Sequence, residues 1–177
     1  MITLRDDVRA HRNVGPVWVG SPEDYARGLF EAGDPDDVDR LLRERIERQL
    51  VLRETPPPHL SVILSQNALE WPVGSPDIMR RQLAHLLAAG EQWNVVLRVV
   101  PRNWETGAYL GLDGSFTRLS GADYGEVAYT ESPEGGRLVS LAEDVRKFAV
   151  RHDRISAKAL PAGASRDLIW NVMEAMT

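Results

Sequence analysis

The stretch HLSVILSQNALEWPVGSPDIMRRQLAHLL, residues 59–87, holds several of the groups in this chain that could do chemistry. His59 opens its apolar run, and an imidazole serves as a general base once another group orients it. Gln66, Glu70 and Trp71 follow where the run ends, the end of a strand at which ligands tend to bind. Arg98 stands in VVLRVV, where strand alternation sets Val95, Leu97 and Val99 on one face and Val96, Arg98 and Val100 on the other. An arginine so placed either reaches water at a sheet margin or lies under a helix and is salt-bridged there, or else it is an anion anchor inside a pocket whose fork grips carboxylate or phosphate. Trp18, Trp71 and Trp104 fall in expected loops. With Tyr109, Tyr124 and Tyr129 they either cap the core or line a concave site with flat amphipathic rings.

Familiar catalytic arrangements are missing. The chain has no phosphate-cradling loop, no dinucleotide glycine fingerprint, no paired-histidine metalloprotease helix and no serine elbow. GLDGS, residues 111–115, leads into a strand instead of following one and reads as a turn. His152 precedes Asp153, but no second histidine stands at helical spacing from it, and His85 lies off the apolar stripe of its helix. With no cysteine there is no disulfide, thiolate ligand or thiol nucleophile. No metal and no cofactor are expected.

The elements that must hold these groups are clearly signed. Ser21-Pro22-Glu23-Asp24, Asp34-Pro35-Asp36-Asp37 and Ser75-Pro76-Asp77 each combine a capping side chain, a proline at the first helical position and acids in the first turn. The first helix carries Tyr25, Ala26, Leu29 and Phe30 inward; the second carries Val38, Leu41, Leu42 and Ile46 and runs to about Arg53. Arg40 with Glu44, Arg43 with Glu47 and Glu44 with Arg48 are spaced as pairs on its solvated face. Pro56 to Pro58 end it. Strands are expected near Leu60–Leu64, Asn94–Val100, Phe116–Leu119, Glu126–Thr130 and Arg137–Leu141, with two helical stripes in the tail. The expected class is α+β: N-terminal helices, a mixed sheet of about five strands with one β-α-β crossover, and C-terminal helices. One domain over 1–177 is expected, with a helical part at 1–55, the sheet at 59–141 and terminal helices at 142–177.

Composition narrows the function. A formal charge of −5 and alternating charges leave no basic surface for nucleic acid. No apolar stretch reaches the roughly 20 residues that span a bilayer, and the polar N-terminus has no signal-peptide core. The expected location is cytoplasmic.

The segments EDYARGLFEAG, RLLRERIERQ, SVILSQNALEWPVGSPDIMRRQLAHLL, NVVLRVVP, GSFTRLSG and EVAYTE occur in an order that resembles one family. It is the C-terminal domain of unknown function of actinobacterial Scr-type antitoxin-like transcriptional regulators. The resemblance covers roughly residues 15–176. It departs from the family at GPVWVGSPEDYA, at LSQNAL, where an acidic pair is usual, and at VVPRNWETG. Such domains usually follow a helix-turn-helix, which is not expected in the first dozen residues, so the chain reads as either an excised sensing domain or a standalone protein. The resemblance therefore implies a small-molecule- or partner-binding domain without its own DNA-binding module. The expected site lies over the carboxyl ends of the two main strands, built from Trp18, Tyr25, Gln66, Trp71, Arg98, Trp104 and Glu131. The expected partner is a small molecule or a small protein, with a homodimer left open. The alternative is a tailoring enzyme of specialised metabolism, of cyclase or isomerase type, with His59, Glu70 and Glu131 as acid/base groups.

Overall fold

The computed structural model describes residues 7–12, 21–33, 35–50, 55–122, 124–131 and 136–176. The helices are α1 (Glu23–Gly33), α2 (Val38–Leu50), α3 (Gln66–Glu70), α4 (Pro76–Ala89), α5 (Ala142–Ser156) and α6 (Ala162–Glu174). The strands are β1 (Asp7–Arg12), β2 (His59–Ser65), β3 (Val95–Val100), β4 (Phe116–Gly121), β5 (Gly125–Thr130) and β6 (Arg137–Val139). The class is α+β.

Strands β2 and β3 form a parallel pair and β4 to β6 an antiparallel trio. Between the two groups lies β1, parallel to β2 and antiparallel to β4, giving the order β3-β2-β1-β4-β5-β6. This corrects the reading of residues 1–55 as helical: DVRAHR is a strand, and α1 and α2 make a second crossover between parallel neighbours. Only Val8 and Ala10 in it are apolar, so its own hydropathy carries too little signal. Pairing with β2 and β4 places it.

The faces of β2 and β3 follow the expected alternation. Leu60, Val62, Leu64, Val95, Leu97 and Val99 meet Leu83 and Leu86 of α4 and Ile169, Val172 and Met173 of α6. Ile63 and Val100 meet Phe116 and Ile155 on the opposite side, beneath α5. Two helical layers thus enclose the sheet. Helix α4 starts where capping chemistry says it should, with Ser75 Oγ accepting the N–H of Ile78 at 3.3 Å.

Helix α2 sits turned relative to its expected stripe. Val38, Leu42 and Arg45 are buried, and Ile46 is 41% exposed. Arg45 Nη2 donates to Ser21 Oγ at 2.9 Å, and its guanidinium lies 5.9 Å from the Phe30 ring centre. Packing against α1 therefore selects an arginine over an isoleucine for the inner face. On the outer face Arg40 pairs with Glu44 at 2.6 Å and also with Asp37.

The link from α5 to α6 wraps the outer edge of β3. Leu160 N–H donates to the Val99 carbonyl at 2.8 Å, and Val99 N–H donates to Ser165 Oγ at 2.9 Å. Ser165 has no exposed surface. A strand edge that would otherwise invite pairing is closed at this point.

Candidate functional site

The carboxyl ends of β2 and β3 are joined by a polar bridge. Ser65 ends β2 in an extended conformation, and its hydroxyl accepts the Asn67 N–H at 3.3 Å, which turns the chain into α3. One turn on, Gln66 Nε2 donates to Glu70 Oε1 at 2.6 Å. Gln66 Oε1 accepts the backbone N–H of Arg102 at 2.8 Å, and Arg102 Nη2 donates to Glu70 Oε2 at 2.6 Å. The three residues form a closed ring across the two strand ends. Arg102 is 65% exposed, so the ion pair itself adds only about 0.5 kcal/mol. Its structural effect is to hold two loops in register.

Each loop presents an indole. Trp71 caps α3 and is 65% exposed; Trp104 is fully exposed. The turn carrying Trp104 is held by Asn103, whose Oδ1 accepts the N–H of Thr106 at 2.8 Å and whose carbonyl accepts that of Gly107 at 3.3 Å. Gly107 has φ of 58°, in the left-handed region that favours glycine. Below the edge stands Tyr109. Burial pushes its hydroxyl pKa up, and a hydrogen bond with Ser65 pulls it down.

The other expected site residues are placed differently. Tyr25 is buried with Val73 and Met79. It supports the segment after Trp71 from beneath instead of lining a cavity, because α1 packs there; burial raises its hydroxyl pKa. Arg98 makes four hydrogen bonds within the fold: to the carbonyls of Ser156, Ala159 and Leu160 at 3.0, 2.8 and 2.9 Å, and to Ser156 Oγ at 2.6 Å. Of the two readings open to this arginine, its geometry is that of a clasp on the end of α5. Glu131 follows β5 at the same edge of the sheet, but three strand spacings from β2, or about 14 Å. Trp18 lies outside the described residues.

The acid/base set of the enzyme alternative is spread out. His59 begins β2 and Glu70 follows its far end, a strand length of about 20 Å apart. His59 instead meets Trp93 edge to face, with ring centres 5.3 Å apart. A cleft of about 410 Å³ opens there, lined by His59, Ser61, Trp93, Asn94, Val96 and His152 among others. His152 is a buried member of α5 beside an exposed Asp153. Among the described residues no three His, Asp or Glu side chains converge as a metal site, and no helix is long and apolar enough to cross a membrane.

Sequence reading passed over Arg102 and Asn103. Arg102 lay in a loop with nothing local to tie it to Glu70, 32 residues earlier. Asn103 did carry a local signal, since an asparagine oxygen accepting the N–H three residues on is the geometry of a helix N-cap.

A family model described as Domain of unknown function (DUF5753) matches residues 22–171. No curated protein and no solved structure matches the chain.

Proposed function

This chain belongs to the family described as Domain of unknown function (DUF5753), and we propose that it is a partner-binding domain. On this reading it is related to the effector domains of Scr-type antitoxin-like regulators and engages a small protein through the edge that carries Trp71 and Trp104. The observation that carries the proposal is Trp104, fully exposed on a turn that Asn103 holds rigid. A tryptophan offers roughly 150–250 Å² to bury, and anchors of this kind supply much of the energy of protein interfaces. The ring of Gln66, Glu70 and Arg102 supports the reading, because it pre-organises both indoles and lowers the ordering cost of association. Both indoles face solvent, which suits a partner's surface better than a small molecule.

The test places a photo-crosslinking phenylalanine analogue at Glu105, exposed beside Trp104, in the producing host. A single adduct of discrete mass that disappears when Trp71→Ala is added supports the proposal. No adduct, or a mixture indifferent to Trp71→Ala, refutes it.

The cleft at His59 and Trp93 favours a second reading, a small-molecule binder, since its size of about 410 Å³ falls in the usual range for ligand sites. Native mass spectrometry of freshly purified protein tests it. A bound small molecule lost on Trp93→Ala supports that reading, and a bare protein mass counts against it.

A further inference from the structure

The edge of β3 is closed along only part of its length. In a parallel pair, alternate residues of a strand turn their backbone groups toward the neighbour. Leu60 N–H donates to the Asn94 carbonyl at 2.7 Å, so the even-numbered residues beside it face β2. Val95, Leu97 and Val99 therefore face outward. Val99 is satisfied by Leu160 and Ser165, and Val95 N–H by the Gln92 carbonyl at 3.0 Å. Among the described residues, the N–H and C=O of Leu97 and the C=O of Val95 have no protein partner. Natural sheets blunt such an edge with charge, proline or a covering segment. Here the local sequence is apolar and Val96 is 47% exposed.

Beside the open edge lies a cleft of about 220 Å³ between the end of α4, β3 and the first turn of α6. Leu86, Leu97 and Ile169 supply apolar lining, and Gly90, Gly163 and Arg166 border it. Helix α6 begins behind Pro161, which gives its first N–H groups no side-chain cap. That positive end, together with the exposed Arg166, favours an anion. Arg166 meets Glu91 at 2.7 Å, with both side chains more than 60% exposed, an arrangement a carboxylate can displace at small cost.

We propose that this edge docks an extended peptide segment of a partner protein. The segment adds as a short strand alongside Val95–Leu97 and buries one apolar side chain in the cleft. It then sets an acidic side chain or its terminal carboxylate at the start of α6 and Arg166. Strand addition is the recognition mode that matches a donor and acceptor on one outward residue. The apolar lining fixes the chemistry of one side chain, and the uncapped start of α6 with Arg166, once it exchanges Glu91 for the ligand, fixes that of the other. A second copy of this chain fits poorly. Antiparallel pairing of two β3 edges about Leu97 would bring Val95 of the second copy opposite Val99, where Leu160 already sits. The docking edge is separate from the surface that bears Trp71 and Trp104, and either proposal can fail without the other.

The test titrates the full chain against dye-labelled heptapeptides alternating valine with threonine, ending in aspartate, asparagine or lysine and amidated at the C-terminus, with the asparagine peptide also made as the free acid. Binding is read by fluorescence anisotropy. The aspartate series is expected to bind about fivefold tighter than the asparagine series, with lysine weakest. N-methylation of the central residue should abolish binding, because it removes the donor that strand addition needs. Gly163→Leu should abolish it too. A side-chain atom added at Gly163, on the border of the cleft, meets nothing within 4 Å, so the leucine clashes with nothing in the fold, should keep the melting temperature, and stands where the peptide's apolar side chain would enter. Arg166→Glu should reverse the preference for aspartate over lysine. No binding by any peptide up to about 1 mM, retention by the N-methylated peptide, or indifference to Gly163→Leu overturns the proposal. Dimerisation through this edge, seen by sedimentation and blocked by Gly163→Leu, also overturns it and assigns the edge to a second copy.

Discussion

Removing the Arg98 guanidinium distinguishes most sharply between the two roles the sequence left open for it. Arg98→Met keeps an unbranched apolar stem on the β3 face and deletes four hydrogen bonds to Ser156, Ala159 and Leu160. Three of the acceptors are backbone carbonyls at the end of α5 and in the link to α6. Hydrogen bonds to a charged donor contribute about 1.5–3 kcal/mol each, and four would come to about 6–12 kcal/mol if they summed. They do not sum, since Arg98 is only part-buried and water can reach some of the freed carbonyls. A loss of about 3 kcal/mol is the expected net, the equivalent of one or two such bonds. For a chain of this length that lowers the melting temperature by about 6–12 °C. Urea unfolding followed by circular dichroism measures it, with Arg98→Lys expected to fall between the two because an ammonium cannot span the same acceptors. A loss below about 1 kcal/mol for Arg98→Met would refute the clasp and return Arg98 to the role of a free anion anchor.

Ser165→Ala leaves the buried N–H of Val99 without its acceptor and should cost about 1–3 kcal/mol. Hydrogen exchange at Val99 should accelerate with it, and unchanged protection there would count against the edge closure. Arg102→Ala should lower stability by no more than about 1 kcal/mol, yet weaken photo-crosslinking from position 105, because it opens the ring at Glu70 while the backbone bond to Gln66 stays. Burial raises the hydroxyl pKa of Tyr25 above its model-compound value of 10.0, against an opposing pull from Arg45. Its neutral form therefore contributes stability that is full below pH 10 and is lost as pH rises through the raised value. Tyr25→Phe should flatten the fall in unfolding free energy above pH 10, and a variant that falls as steeply as the parent would exclude Tyr25 as a source.

Much of the fold was legible because its signals are local. Ser75-Pro76-Asp77 starts α4 through contacts that span three residues, and VVLRVV divides its side chains between two helical layers by simple alternation. Capping and periodicity act within a turn of helix or a pair of strand residues, so a single chain reveals them. The same reasoning located Gln66, Trp71 and Trp104 at the carboxyl ends of β2 and β3, since strand ends and loops follow from element boundaries. What it missed depends on partners far along the chain. β1 is placed by neighbours some 50 and 110 residues away in sequence and not by its two apolar side chains. Arg45 displaces Ile46 from the inner face of α2 because Ser21 and Phe30 receive it. Tyr25, read both as inward on α1 and as a site residue, is buried against Val73 and Met79. Arg98 closes on carbonyls about 60 residues downstream. In each case the chemistry of the side chain admits more than one role, and only packing between distant segments, where burial and hydrogen bonding must be met together, selects which one it takes.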